Sequence, residues 1–527
     1  MTALLAGVRC AYLTGEQIHV DWLGDDVAVV LVRTAFGHEY SGQLLNGEAH
    51  ITGVPVGTHA LELRSANGEL LAEELLSVRD APGDDPILAF ATSFDAQTVP
   101  LSLHWLERLR CTVVQIYDWM ETYSAPLGPA GVYRDRIGRT IDRDALVDLI
   151  EGLKRLGAVP QAYAPVIAAN PGDTPDLRLF RNDGAVESLG GLLEIMDPGL
   201  PEWQDRWLRE YGAAADVLGF GGFHLDTYGY PRAAVDANGK SVEIGARYDA
   251  FVRTVRAGRP QDLLSFNQVN GVPSGFEPPE PPSFRYAEVW PPNDRWRHLE
   301  GLMARSAGGA SRRGDTLAIY PPVWNEARGK ALMTTVLTEA VTTMLGLGLL
   351  IWGDNAAALR HPYYVDHERL LSEEADTVIS WHRFALRCRD LFKTGEDTSW
   401  YELDDENAAV TVSAAVPVRP EPDGGAVFAR VFRTDRTVVV GLLDLSGSAH
   451  GSWSEGTTAG KCTAAKVSAL VPEVEAWRAD VAVLGRDGGR FSPLSLDVEP
   501  HREGLALGAE VPLVTGWSVL RLMKEEN

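Results

Sequence analysis

Two acidic residues stand in company that suits chemistry. Asp226 closes the apolar, glycine- and aromatic-rich stretch GFHLDTYG (222–229), and Glu288 lies between Tyr286 and Trp290 in FRYAEVW (284–290). Strand periodicity places Tyr286, Glu288 and Trp290 on one face. A carboxyl group flanked by two rings has its pKa raised, as a general acid requires. Splitting a glycosidic bond needs one carboxylate as nucleophile or base and one carboxylic acid that protonates the leaving oxygen. Asp226 and Glu288 are the expected catalytic pair. The plainer alternative for Glu288 is a buried ion pair, for instance with Arg285 or Arg295.

Similar residues recur at the ends of other apolar runs: Tyr117, Asp118 and Trp119; His224 and Tyr228 around Asp226; Asn267 and Asn270; Tyr320; and Trp352, Asp354 and Asn355. Rings stack on the apolar faces of pyranoses, and acids and amides bond their hydroxyls. With Tyr286 and Trp290, these residues are expected to bind substrate. Asp118 and Asp354 are read as holding it rather than reacting, although a cap explains the first and the turn WGDN explains the second. His224-x-Asp226 puts two potential metal ligands on one strand face, and HPYYVDH (361–367) adds His361, Asp366 and His367. No strand carries the paired histidines of barrel metallohydrolases, so neither a catalytic metal nor a cofactor is expected. The chain has no Walker loop, no nucleophile elbow and no dinucleotide fingerprint.

These residues need a scaffold that gathers strand ends. Eight apolar runs, beginning at ILAFAT (87–92) and ending at GLLIWGDN (348–355), mostly alternate with helical patterns such as 143–156 and 200–217. That alternation predicts a parallel (β/α)8 barrel, whose reactive groups collect where the strands end. Between the fifth and sixth runs lies VPSGFEPPEPPS (272–283), too short and proline-rich for a helix. Residues 1–85 alternate with period two and read as a small β-sandwich, followed by the linker DAPGDDP (80–86). The barrel is assigned to 86–393, and a second β-sandwich to 394–527, with a hairpin around Thr434–Thr437. The fold class is multidomain α/β.

The 527 residues are 45% apolar and 23% charged, ordinary for a globular chain with a sizeable core. A net charge of −25 makes nucleic acid and anionic membranes poor partners and favours a neutral or cationic substrate. Cys10, Cys111, Cys388 and Cys462 are too scattered for a zinc site or a disulfide framework. The N-terminal residues do not read as a signal peptide, and Met344–Trp352 is too short to span a bilayer, so a soluble cytoplasmic protein is expected. Oligomeric state is not legible.

The segments VVQIYDWM, GFHLDTYG, SFNQVNG, RYAEVWP and IWGDN, in this order, together with VPLVTGWSVLRL near the C-terminus, resemble glycoside hydrolase family 66, which contains endo-dextranases and cycloisomaltooligosaccharide glucanotransferases. The resemblance implies an immunoglobulin-like domain, a catalytic barrel and a Greek-key β-domain. It also implies Asp226 as nucleophile and Glu288 as acid/base of a retaining enzyme acting on α-linked glucosides. The substrates implied are α-1,6-glucan or isomaltooligosaccharides, with transglycosylation as a further capacity. The segment ETYSAPLGPAGVYRDRIGR (121–139), after the second run, departs from the family pattern. The alternatives from other classes are a non-catalytic carbohydrate-binding protein and a metal-dependent barrel hydrolase using His224 and Asp226.

Overall fold

A computed structural model describes residues 4–23, 29–45, 48–227, 234–272, 283–306, 314–399, 409–472, 476–502 and 504–525. At its centre are eight parallel strands: β1 (Leu88–Ala91), β2 (Val113–Ile116), β3 (Val159–Pro165), β4 (Gly222–Asp226), β5 (Leu263–Asn267), β6 (Ser283–Glu288), β7 (Thr316–Ala318) and β8 (Gly348–Leu350, continued by Trp352–Gly353). Each pairs with the next, and Gly353 pairs with Phe90 of β1 to close the ring. Closure needs glycine there, since a Cβ on residue 353 would come within 2.2 Å of the Phe90 ring. All eight strands fall on the apolar runs read from the sequence.

Helices α1 (Val99–Arg108), α2 (Arg143–Arg155), α3 (Pro201–Leu218), α4 (Ile244–Gly258), α5 (Leu299–Ser306), α6 (Arg328–Met344) and α7 (Ser372–Cys388) surround the strands. In α2, Asp142 caps the first turn by accepting from the Asp144 and Ala145 amides, and Leu146, Leu149, Ile150 and Leu153 face the core. In α3, Pro201 opens the helix and a left-handed Gly219 ends it. No helix joins β5 to β6 among the described residues; most of the proline-rich connection, 273–282, lies outside them. None of the described helices is long and apolar enough to cross a membrane.

Before the barrel, eight short strands form one sheet around Val20, Val32, Ala49, Ile51, Leu61 and their neighbours. After it come a seven-stranded and a four-stranded sheet, mostly antiparallel, which share an apolar core. The expected hairpin is there, with Val427–Arg433 antiparallel to Thr437–Asp444. Trp517 of the C-terminal region packs on Trp381 and Phe384 of α7, so the barrel's outer helices and this sheet share one core. The chain is thus a multidomain α/β protein built around a barrel.

Candidate active site

Parallel strands deliver their C-terminal ends to one mouth. There Asp226 of β4 and Glu288 of β6 face each other across β5. The Asn267 side-chain amide donates to Asp226 Oδ1 at 2.9 Å and to Glu288 Oε2 at 3.3 Å. The two oxygens it bridges therefore lie no farther apart than the sum of those lengths. The Asn267 carbonyl in turn accepts from the Glu288 backbone amide. The second oxygen of Asp226 accepts from Tyr163 at 2.8 Å, and the second oxygen of Glu288 accepts from Tyr320 at 2.5 Å. Each carboxyl is thus held at both ends.

Glu288 titrates abnormally. Loss of water raises its pKa, the nearby Asp226 charge raises it further, and hydrogen bonds from Tyr320, Trp290 and Asn267 hold it back; it is pushed up to about 7. The ion-pair alternative is not what forms, because Arg285 makes a two-pronged bond to Asp315 at 2.7 and 2.8 Å instead. Glu288 therefore has the raised pKa that a general acid needs.

Around the pair stands a wall of rings. Tyr117 lies 4.3 Å from Tyr163 and stacks on Tyr364 at 4.4 Å between centroids. Tyr364 shares a hydrogen bond with Tyr286 at 2.7 Å and approaches the Tyr320 hydroxyl at 3.5 Å. Trp290, 38% exposed, is tilted against Tyr320 with ring centroids 6.3 Å apart. Asp118 lines a small recess with Met120, Tyr123 and Asp135, and burial pushes its pKa up to about 7. Arg139 stands 3.9 Å from its carboxylate but spends its hydrogen bonds on Asp135 and on the Asp118 carbonyl, so its charge offsets that burial only in part.

Other residues expected to touch substrate have different work. The fully buried Trp119 indole donates to the Tyr163 carbonyl and packs on Phe220. The Trp352 indole donates to Glu339 of α6, which fixes β8 to the helical layer. Asp354 is fully buried; it accepts from the Thr92 and Ser93 amides and from the Ser102 hydroxyl, pinning the loop after β1. Asn270, in the left-handed conformation at φ 52°, accepts from the Trp290 amide and orders the loop that presents this ring. Asn355 belongs to the same left-handed turn as Ala356. His224 lies inside the barrel, its Nδ1 against Gln115 and Ser265, and burial pushes its pKa down to about 4. Among the described residues, His224 and Asp226 gather no third metal-ligating side chain. Tyr228 lies outside the described residues.

Three contributors escaped the sequence reading: Tyr163, Tyr364 and Arg139. Tyr163 sits inside the run AVPQAYAPV, four residues into β3, where the strand's period points it at the mouth. Tyr364 belongs to the segment weighed only for metal ligands. It follows a turn-back in which Ala357 and Ala358 pair with Gly353 and Trp352, and that ribbon carries it over the barrel.

Residues 62–520 match the model of glycosyl hydrolase family 66. Two curated Niallia circulans proteins named cycloisomaltooligosaccharide glucanotransferase are 23% and 22% identical over 233 residues, 39% of this chain. The match spans about a quarter (24%) of those relatives' length. Among solved structures, a Paenibacillus sp. cycloisomaltooligosaccharide glucanotransferase complexed with cycloisomaltoheptaose superposes with a TM-score of 0.79, covers 99% of both chains and is 14% identical. A noncanonic maltogenic α-amylase, AmyB of Thermotoga neapolitana, gives a TM-score of 0.50 over 83% of this chain and 99% of its own at 10% identity. At such identities these superpositions speak to the fold.

Proposed function

Since the chain belongs to glycosyl hydrolase family 66 and is an enzyme of the glycoside hydrolase type, we propose that it cleaves or transfers α-linked glucosyl units with retention of configuration, on α-1,6-glucan or isomaltooligosaccharides. The observation that carries this reading is the Asn267 bridge. It keeps the bridged oxygens of Asp226 and Glu288 within about 6.2 Å, a closeness that accommodates the ~5–5.5 Å of retaining pairs. The relatives' names, which speak of isomaltooligosaccharides, support the substrate class.

On this reading each step has its residue. Asp226 attacks the anomeric carbon while Glu288 gives its proton to the departing glycosidic oxygen, so the carbon–oxygen bond breaks and a glycosyl ester forms. Glu288, now ionised, takes a proton from water or from another sugar's hydroxyl. The oxygen so activated attacks the same carbon and frees Asp226. Water gives hydrolysis and a sugar hydroxyl gives transfer. Asn267 and Tyr163 hold the nucleophile's oxygens, while in this reading Trp290, Tyr117 and Asp118 hold the glucose.

The test compares Asp226→Asn with Glu288→Gln on isomaltooligosaccharides and on an activated aryl α-glucoside. Asp226→Asn loses turnover on both. Glu288→Gln loses about 10²–10⁴-fold on the natural substrate but far less on the activated one, and added azide restores its second step as an α-glucosyl azide. A β-configured azide, or equal losses without rescue, overturns the assignment. Binding without turnover by the unmodified protein would instead favour a carbohydrate-binding role.

A further inference from the structure

Away from the mouth, on the N-terminal sheet, two histidines meet across a strand pair. Ile18–Leu23 and Glu48–Ile51 run antiparallel, with His19 opposite His50 and Asp21 opposite Glu48. Ile18, Val20, Ala49 and Ile51 point into the core, so period-two alternation turns His19, Asp21, Glu48 and His50 outward together. The two Nδ1 atoms are 3.3 Å apart. The ligand atoms of His19, Glu48 and His50 all lie within 4.8 Å of one another, the one such group among the described residues. The other ring nitrogen of His19, Nε2, lies 3.0 Å from Asp21 Oδ1.

We propose that these residues form a binding site for a divalent transition ion, zinc being the ion that fits best, with His19 Nδ1, His50 Nδ1 and the Glu48 carboxylate as ligands and Asp21 as the group that orients His19. The spacing is the first argument. Two nitrogens held ~2.0–2.1 Å from one tetrahedral ion stand about 3.3–3.4 Å apart, which is the separation between the two rings. The second is the tautomer. A carboxylate accepting from Nε2–H leaves the lone pair of His19 on Nδ1, aimed at His50, as in the carboxylate–histidine–metal arrangement. The third is ligand chemistry. Two imidazoles and a carboxylate suit zinc better than calcium or magnesium, and a chain of net charge −25 draws cations to its surface. The site is independent of the carboxylate pair in the barrel. Its ion would clip together two strands that are neighbours in the sheet but not in sequence.

The competing account is a hydrogen bond between the rings, with no ion. Calorimetric titration of the chelator-stripped full chain with zinc chloride separates the two. One ion per chain is expected in the micromolar range. His19→Ala and His50→Ala should each weaken binding at least a hundredfold, Asp21→Asn about 10–100-fold, and the exposed His104→Ala not at all. Zinc should also raise the thermal midpoint of the unmodified chain, and the surface change Glu48→Gln should shrink that rise, which keeps the test alive if a histidine variant folds poorly. No stoichiometric binding, several weak ions per chain, or binding undiminished in the His19→Ala/His50→Ala double variant would overturn the site. An Asp21→Asn variant with unchanged affinity would remove the orienting role.

Discussion

Asp85 and Glu288 sit at opposite ends of one barrel, both cut off from water, yet their pKa values move in opposite directions. Asp85 lies just before β1, where Arg389 and Lys393 both donate to its carboxylate. Burial alone would raise its pKa, but those cations and Arg79 hold it well below 3.8. Glu288 ends β6 beside a second carboxylate and is pushed up to about 7. The same desolvation acts on both, and the sign of the neighbour decides the outcome. Arg285 and Asp315, at the start of β6 and just before β7, repeat the neutralised pattern. At the barrel's base Asp85 and Asp315 are thus matched by opposite charges, which serves stability, whereas at its mouth Asp226 and Glu288 stand together, the arrangement that the proposed chemistry uses.

The largest effect expected from this contrast follows from Asp85→Asn. Asparagine tolerates the positive φ of 49° at this position, so the backbone stays, but two buried cations lose their counter-charge. A cost of about 3–5 kcal/mol in urea unfolding is expected, with turnover per folded molecule unchanged. Lys393 is already pushed down to about 8 by burial and by Arg389. Without Asp85 it sheds its proton more easily, so the deficit should shrink between pH 7 and 9. Glu288→Gln should invert the pattern, with turnover lost and stability kept or raised at pH 8. An Asp85→Asn chain of full stability and lost turnover would break the comparison.

Between the two ends, pH offers a sharper contrast. A carboxylate with a lowered pKa contributes stability above its ordinary value, so the Asp85 contribution is present above 3.8 and goes only as pH falls through its lower native value. A raised pKa works the other way. The Glu288 contribution is complete below 4.5 and is lost as pH rises through about 7. Under the proposed mechanism the reaction on isomaltooligosaccharides requires protonated Glu288, so kcat/KM should fall about tenfold per pH unit above about 7. An activated aryl glucoside, which needs less protonation, should show a shallower limb. If Glu288→Gln keeps the alkaline limb on its residual activity, another group is the acid.

How far the sequence could be read follows the same division. The eight strands, the mouth and the Asp226–Glu288 pair are legible because they rest on local periodicity and on a rule about strand ends. What each ring near a strand end touches is not local. Trp119 and Trp352 lie one or two residues from groups at the mouth, yet they turn to Tyr163 and Glu339, because side-chain direction alternates along a strand and the barrel's curvature decides which face closes on what. Tyr364 reaches Tyr286 across 78 positions, and no short pattern encodes that approach. The His19–His50 pairing depends on a strand register fixed only when Val20 and Ala49 turn inward. Asp354 was legible as a turn residue and illegible as the acceptor of the Thr92 and Ser93 amides.

The smallest effect expected is also the most specific. Tyr320 donates to Glu288 at 2.5 Å, a bond that favours the ionised carboxylate and lowers its pKa. Tyr320→Phe keeps the ring and its packing while removing that bond, so the acid should hold its proton to higher pH. A lost hydrogen bond to a charged group is worth about 1.5–3 kcal/mol at most, and one pKa unit is about 1.4 kcal/mol, so the alkaline limb should move up by about one unit. Below the limb the variant should be no faster than the parent, but at pH 8 it should fall behind less or even overtake it, a gain that structural damage would not produce. Tyr163→Phe provides the contrast, because Tyr163 bonds Asp226 and not Glu288. It should lower the rate evenly across the profile and leave the limb in place. A Tyr320→Phe limb that stays put, or moves down, would mean that the hydroxyl serves the neutral acid, and that burial and Asp226 alone set the ionisation at the mouth.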